Sequence, residues 1–127
     1  MDIRLKRAYV PADPVDGYRV LVDRLWPRGV SRERARLDAW EKDLAPSTML
    51  RRWFGHDPER FEEFRRRYVD ELRAHRPELA RLRRHAREGT LTLVYGAADV
   101  EHNDARVLAD VLRRGLPRSS VAVERRS

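Results

Sequence analysis

Two short apolar runs constrain the fold of this chain more than any other feature. Residues 90–96 read TLTLVYG, a β-branched and apolar segment bounded by glycines, and residues 18–23 read YRVLVD. Runs of this kind, without strict polar alternation, are typical of strands that are buried on both faces of a parallel sheet. Helix signals occupy the segments between them. We therefore predict an α/β domain in three layers, with a short, mainly parallel sheet flanked by helices.

Capping residues mark where the helices begin. A serine, aspartate or asparagine before the first turn accepts hydrogen bonds from the free amides there, and proline fits the first turn itself. On this basis, helices are predicted to begin after Ser31, Ser47 and Asp57, at Pro77, and after Asn103 or Asp104. We also expect a first strand over residues 3–10 and a last strand over residues 120–123, whereas the segment LDAWEKDLAP, residues 37–46, is ambiguous.

The middle of the chain supplies the expected core. Apolar and aromatic side chains recur there at helical spacing or stand beside helix boundaries, as in helices that bury one face. The residues expected to be largely buried are Trp40, Leu50, Trp53, Phe54, Phe61, Phe64 and Leu72.

Length and composition narrow the class of protein. With 127 residues, the chain is predicted to form a single domain over residues 1–127. It contains no cysteine, which excludes disulfides, zinc–thiolate sites and thiol chemistry. The first residues lack the layout of a signal peptide, and no apolar run approaches the roughly 18 residues of a membrane span. We expect a cytoplasmic protein without a membrane partner, and we leave its oligomeric state open.

The basic composition suggests a second class of function. The formal net charge is +7 and the pI is about 10.6, values typical of nucleic-acid-binding proteins. However, Lys6 and Lys42 are the only lysines among the 28 basic residues. Many of the arginines stand beside glutamates on predicted helices, as in PERFEEFRRRYVDELR, where they would form solvated ion pairs. A nucleic-acid-associated or regulatory protein is therefore the alternative hypothesis.

A first candidate site follows the second predicted strand. It consists of Asp23, Arg24, Trp26, Arg28 and Gly29. In open parallel sheets, ligands bind beyond the carboxyl ends of the strands. The two arginine forks suit a phosphate or carboxylate, and free amides at the following helix start add positive potential. The alternative is that Asp23 forms an ion pair with a neighbouring arginine while Trp26 packs under a helix, with no ligand.

A second candidate site follows the strand TLTLVY and consists of Tyr95, Asp99, His102 and Asn103. Histidine is the usual proton shuttle near neutral pH and aspartate can orient it, so His102 and Asp99 are the catalytic candidates. Tyr95 and Asn103 are candidate ligand-binding residues. The alternative is that Asp99 ends a loop and Asn103 caps the last helix. If the two strands are parallel neighbours, both candidate sites lie at one edge of the sheet.

Several sequence motifs that are typical of catalytic and cofactor-binding sites are absent from the chain. There is no glycine-rich phosphate loop, no HExxH motif and no serine nucleophile elbow. The four histidines are too dispersed to indicate a metal site, and we interpret His56 as a local partner of the helix end at Asp57. We therefore predict no metal site and leave the cofactor unknown.

The stretches RVLVDRLWPRG, WEKDLAPSTMLRRWFGHDPERFEEFRRRY and TLTLVYGAADVEHNDARVL together resemble the YeaO-like branch of the family called domain of unknown function 488. The resemblance runs from residue 4 to about residue 112. It implies a small three-layer α/β domain found in bacteria, with no established activity. The motif residues of the family fall here on Asp23, Arg24, Pro27, Arg28, Gly29, Lys42, Pro46, Ser47, Trp53, Phe54, Tyr95, Asp99, His102 and Asn103.

The chain departs from the family pattern at two points. Ala98 stands where a lysine is usual, so the charge of that lysine is missing here. More distant members carry a cysteine–histidine–arginine signature near this loop, and without a cysteine no thiol mechanism can be transferred. The leading hypothesis is a protein that binds an anionic small molecule, phosphate-bearing or nucleotide-like, with His102 as an acid or base in any reaction.

Overall fold

The apolar runs form the centre of a parallel sheet in the computed structural model, which describes residues 1–118. The order of the strands is β1–β4–β2–β3, and each neighbouring pair is parallel. Val20 lies opposite Leu93, which confirms that the two apolar runs are parallel neighbours. The strands are β1 (Asp2–Arg7), β2 (Tyr18–Leu21), β3 (Ala39–Trp40) and β4 (Thr90–Tyr95).

The predicted capping residues begin most of the helices. The side chains of Ser31, Ser47 and Asn103 accept hydrogen bonds from backbone amides of the helices that they precede. Asp57 caps a short 3-10 turn that leads directly into the next helix. The helices are α1 (Arg32–Ala35), α2 (Thr48–Phe54), α3 (Phe61–Leu72), α4 (Arg76–Glu88) and α5 (Asp104–Arg114).

The boundaries of the sheet differ from the prediction at the ends of β1 and β2, which stop at Arg7 and Leu21, and one predicted strand is not tested. The first strand ends at Arg7, because the chain turns there and the Val10 amide donates to the Arg7 carbonyl. The ambiguous segment contains β3, whose two residues are too few to show a period. The predicted last strand, residues 120–123, lies outside the described residues.

Both faces of the sheet are covered, which confirms the three layers. Helices α4 and α5 pack against β1 and β4 on one face, where Val20 and Leu93 point. On the other face, Leu21 and Val94 contact the side chains of Trp26 and Trp40. Successive strand residues point to opposite faces, so burial on both faces requires an unbroken apolar run. None of the helices within residues 1–118 is long and apolar enough to cross a membrane.

The core prediction is correct for the residues of α2 and α3 and wrong for two tryptophans. The buried members of the predicted set are Leu50, Phe54, Phe61, Phe64 and Leu72. Trp40 and Trp53 are half-buried instead. The Lys42 ammonium lies 4.0 Å from the ring centroid of Trp40, and the Arg67 guanidinium lies 4.4 Å from that of Trp53. Each ring therefore packs with one face toward a cation at the surface.

Candidate functional site

A cleft of about 480 Å³ opens at the carboxyl edge of β2 and β4. Its lining comes from the loop after β2, the loop after β4, helix α2 and the first turn of α5. Asp23, Arg24 and Trp26 from the first candidate site share this cleft with Asp99 and Asn103 from the second. The parallel pairing of β2 with β4 therefore brings the two clusters together.

Two carboxyl groups form the floor of the cleft. Asp23 follows β2, and Asp104 is the first residue of α5. Their carboxyl groups lie within hydrogen-bonding reach of one another, and we call them the acid pair. The Gly96 amide donates to Asp23 Oδ2 at 2.7 Å, and the Ala105 amide donates to the Asp104 carboxyl group. In the described part of the chain, no cationic side chain forms a salt bridge with either acid.

The acid pair retains a proton at a pH where an exposed aspartate is ionised. Burial raises the pKa of Asp104 well above its usual range, and the neighbouring charge of Asp23 raises it further. Burial also raises the pKa of Asp23, although its contacts with Asp104 and the Gly96 amide oppose the shift. Two carboxylates this close cannot both ionise without strong repulsion. Ionisation of one acid therefore opposes ionisation of the other.

A buried tyrosine lies beneath the acid pair without donating to it. The Tyr68 hydroxyl donates to the carbonyl oxygen of Leu44. Burial, together with the charges of Asp104 and Asp23, raises the pKa of Tyr68 well above its usual range. The hydroxyl is therefore neutral, and it donates to the Leu44 carbonyl rather than to the acid pair.

Two arginines and a histidine border the cleft. The Arg24 guanidinium is oriented by the Pro46 carbonyl, to which its Nε donates at 3.3 Å. Arg51 and His56 stand at the end of α2, and both are exposed. Within residues 1–118, none of the three forms a salt bridge. The rim of the cleft therefore carries positive charge that no protein carboxylate neutralises directly.

The backbone of His56 adopts an unusual conformation. Its φ is 58°, in the left-handed region that a residue with a side chain rarely occupies. Gly55 precedes it with φ 54° and ends α2. Its imidazole packs at 6.1 Å from Phe54, centroid to centroid, at the border of the cleft. Strained residues of this kind cluster at ligand-binding sites.

The second candidate site is held together by local hydrogen bonds. Asp99 Oδ1 accepts from the amides of Glu101 and His102, and these bonds lower the pKa of Asp99. Asp99 Oδ2 lies 2.9 Å from Nδ1 of His102. Asn103 caps α5 through the Arg106 amide and donates to the Asp99 carbonyl. Much of this cluster therefore shapes the turn that leads into α5.

Four residues of the predicted sites do not line the cleft. Arg28 and Gly29 are exposed beyond its border, so Arg24 and Arg28 are not placed to bind one ligand together in the cleft. Tyr95 is buried at the end of β4. His102 stands behind the lining, with its ring edge-on to Phe61 at a centroid distance of 5.2 Å.

Sequence reasoning missed Arg51, His56 and Asp104 as residues of the site. Arg51 is one arginine among many, and His56 was interpreted as a partner of the helix end. Asp104 was interpreted as a possible cap of α5. One signal was available for Asp104, since an acid in the first turn of a helix after a parallel strand lies at the same sheet edge as Asp23.

The chain is similar to bacterial proteins that are named as uncharacterised. The family described as "Inactive DUF488-N3 subclade" matches residues 2–127. The protein YeaO of Escherichia coli K12 is 47% identical over 113 residues, which cover 89% of this chain and 98% of YeaO. Mb3100c of Mycobacterium bovis and Rv3073c of Mycobacterium tuberculosis are each 44% identical over 110 residues, covering 87% of this chain and 92% of theirs. No solved structure matches the chain.

Proposed function

The chain belongs to the DUF488 family, in the YeaO-like branch whose subclade is described as inactive, and we propose that it binds an anionic small molecule rather than catalysing a reaction. The observation that carries this proposal is the cleft at the carboxyl edge of β2 and β4. Its volume, about 480 Å³, is within the range of small-molecule sites. A phosphate-bearing, nucleotide-like ligand fits its lining.

The rim supplies the attraction for the anion. Arg24, Arg51 and His56 border the cleft, and none of them has a carboxylate partner at salt-bridge distance in the described part of the chain. Arginine binds phosphate through paired N–H donors, and such charge-assisted hydrogen bonds are about twice as strong as neutral ones. Arg24 already donates from Nε and Nη2 to the Pro46 and Ala45 carbonyls, so a phosphate at this rim would meet Arg51 and the remaining donor of Arg24 without displacing an ion pair.

The walls supply the affinity for a ring. Trp26, Phe54 and Phe64 line the cleft together with proline and alanine side chains. Apolar and aromatic walls with a few polar groups are typical of sites that bind a flat organic ligand. The Trp26 ring packs edge-on to Trp40 on the other face of the sheet, so the aromatic part of the cleft wall comes mainly from Phe54 and Phe64.

The geometry favours binding over the predicted acid–base chemistry. His102 does not line the cleft, and its Nδ1 contacts Asp99. Asp99 itself accepts two backbone hydrogen bonds at the turn. The catalytic role of these two residues stays a prediction, whose test is a comparison of wild type and His102→Gln in ligand turnover.

A nucleic-acid role has less support from the surface. Many arginines that would form a basic face are already engaged with protein partners. Arg67 contacts Glu63 on its own helix, and Arg65 on α3 contacts Asp110 on α5 at 3.0 Å. Part of the positive charge is thus locally compensated, and such surface pairs are solvated rather than poised for a polyanion.

Isothermal titration calorimetry with inosine 5′-monophosphate and inosine tests the anion site. We expect the phosphate to strengthen binding at least about tenfold, because a charge-assisted hydrogen bond contributes roughly 1.5–3 kcal/mol. Arg51→Gln should remove most of this gain. Arg52→Gln is the matched control, since Arg52 is a neighbour on α2 that does not line the cleft.

Equal binding of the two ligands, or equal loss in both variants, would contradict the proposal. A salt titration separates the nucleic-acid alternative. Binding at two or three cations weakens modestly with salt, whereas polyanion binding across a basic face weakens steeply.

A further inference from the structure

The acid pair is an unusual floor for a cleft that is bordered by cations. Asp23 and Asp104 face the cleft without a salt-bridge partner in the described part of the chain. A buried carboxylate that has backbone donors but no cationic partner is still costly. The cost disappears when a bound molecule supplies hydrogen-bond donors, and this points to a ligand with a donor group at its inner end.

The groups around the acid pair leave its remaining oxygens free for a ligand. The amides of Gly96, Asp104 and Ala105 each donate a hydrogen bond to the pair. Tyr68 donates to a backbone carbonyl, and Glu71 accepts from the amide and hydroxyl of Ser47.

The cationic groups that act on Asp23 from a distance are Arg51 and His56 at the rim. They favour its ionised form, so the pair offers carboxylate acceptors to a ligand.

We propose that the acid pair is the specificity-determining element of the cleft, and that it selects a flat heterocycle with adjacent ring N–H and amino groups, as in guanine. This inference rests on the proposed function for the position of the phosphate at the rim. A carboxylate accepts two parallel N–H donors in a fork, which gives direction as well as strength. A cleft built in this way discriminates against analogues that leave its polar groups unpaired.

The four ligands guanosine 5′-monophosphate, inosine 5′-monophosphate, guanosine and inosine test the amino group and the phosphate separately. Hypoxanthine differs from guanine by the missing 2-amino group. We expect both guanine ligands to bind at least about tenfold more tightly than their hypoxanthine counterparts, because one charge-assisted hydrogen bond is lost in the latter.

The double variant Asp23→Asn/Asp104→Asn should reduce the guanine preference to near one. Both acids are changed together because either could ionise and replace the other. Asp110→Asn is the matched control, since Asp110 lies on the same helix and contacts Arg65. Thermal denaturation of each variant confirms that it is folded.

Each outcome decides between the two proposals. Equal affinity for guanine and hypoxanthine ligands overturns the inference, while a phosphate gain in the same data preserves the anion site. A guanine preference without any phosphate gain preserves the inference and overturns the anion site. If none of the four ligands binds, both are wrong. A guanine preference that survives in the double variant overturns the role of the acid pair.

Discussion

Two acid sites of this protein have opposite electrostatic surroundings. Asp16 is buried, and its carboxylate accepts from Arg19 Nη1 at 2.6 Å and from Lys6 Nζ at 3.0 Å. Arg19 in turn donates from Nε and Nη2 to the Ala35 carbonyl. The acid pair at the cleft has backbone donors from Gly96, Asp104 and Ala105, and no salt bridge within residues 1–118.

These surroundings shift the pKa values of the two acid sites in opposite directions. Burial alone would raise the pKa of Asp16, but the Asp13 amide, Lys6 and Arg19 outweigh it and lower the pKa. At the acid pair, burial is not outweighed and the pKa of Asp104 is raised. The lesson is that burial alone does not identify a functional acid. An acid that the fold leaves without a cationic partner, beside a cavity, is the better candidate.

The largest effect on stability is expected when an ion pair of Asp16 is broken. Arg19→Met leaves a buried carboxylate with one cation and removes two donors from the Ala35 carbonyl, so it should lower the free energy of unfolding by about 3–5 kcal/mol. Urea denaturation at pH 7 measures this. Arg4→Met is the control, because Arg4 pairs with Asp2 at the exposed surface and should cost under about 1 kcal/mol. A loss below about 1 kcal/mol for Arg19→Met would show that Asp16 does not depend on its cationic partners, and the contrast with the acid pair would be wrong.

A substitution in the acid pair should instead raise the free energy of unfolding. Asp104→Asn removes a carboxyl group that resists ionisation, so we expect the variant to be more stable than wild type by roughly 0.5–2 kcal/mol near pH 8, as for other destabilising functional residues. Chemical denaturation across a pH series measures the difference. A variant that is less stable than wild type at pH 8 would show that Asp104 is structural.

The pH dependence has a defined sign at each site. The raised pKa of Asp104 means that wild type loses stability as the pH rises from the ordinary aspartate value toward the raised one. The advantage of Asp104→Asn should therefore shrink as the pH falls toward about 4. The lowered pKa of Asp16 means that its contribution is present above the ordinary value and is lost as the pH falls through its own pKa.

A smaller effect is expected where the backbone approaches the acid pair. A Cβ atom added at Gly96 would lie 3.2 Å from Asp23 Oδ2, so Gly96→Ala should push the carboxyl group aside at a cost of about 1 kcal/mol. Gly89→Ala is the control, since nothing lies within 4 Å of an added Cβ atom there. Thermal denaturation compares the two. An equal shift in melting temperature for both variants would argue against a close fit at Gly96.

The smallest effect on stability is expected at His56, on the border of the cleft. His56→Gly relieves the left-handed backbone strain, and we expect a gain of about 0.5 kcal/mol in stability together with weaker binding of inosine 5′-monophosphate. Arg36→Gly is the control, because Arg36 has a φ of 45° away from the cleft and should gain stability without any change in binding. If His56→Gly bound the ligand as tightly as wild type, His56 would not belong to the anion site.

Local chemistry made most of the fold predictable. The apolar runs of β2 and β4 and the caps at Ser31, Ser47 and Asn103 depend on neighbouring residues, so the sequence specifies them directly. The parallel order follows from strands that must be covered on both faces. β3 is ambiguous in the sequence because two residues are too few to show an alternating pattern of polarity. Its position depends on pairing with β2.

The candidate site could be predicted only in outline. The carboxyl edge of the sheet was correct, and Asp23, Arg24 and Asn103 line the cleft. Arg28 was expected there because it follows the strand closely, but the turn after Trp26 directs it to the surface. Contact between residues far apart in the sequence leaves no local pattern.

By itself, the sequence determined the class of the domain, the positions of its main strands and helices, and the edge at which polar residues collect. Only the tertiary structure decided which acids meet and which cations face them. Asp104 reaches Asp23 because the pairing of β2 with β4 brings the start of α5 beside the end of β2. Arg19 reaches Asp16 in the interior, whereas Arg51 and His56 stop at the rim of the cleft. The charge on an acid depends on the distance to its partners and on the water removed around it, and folding alone sets both.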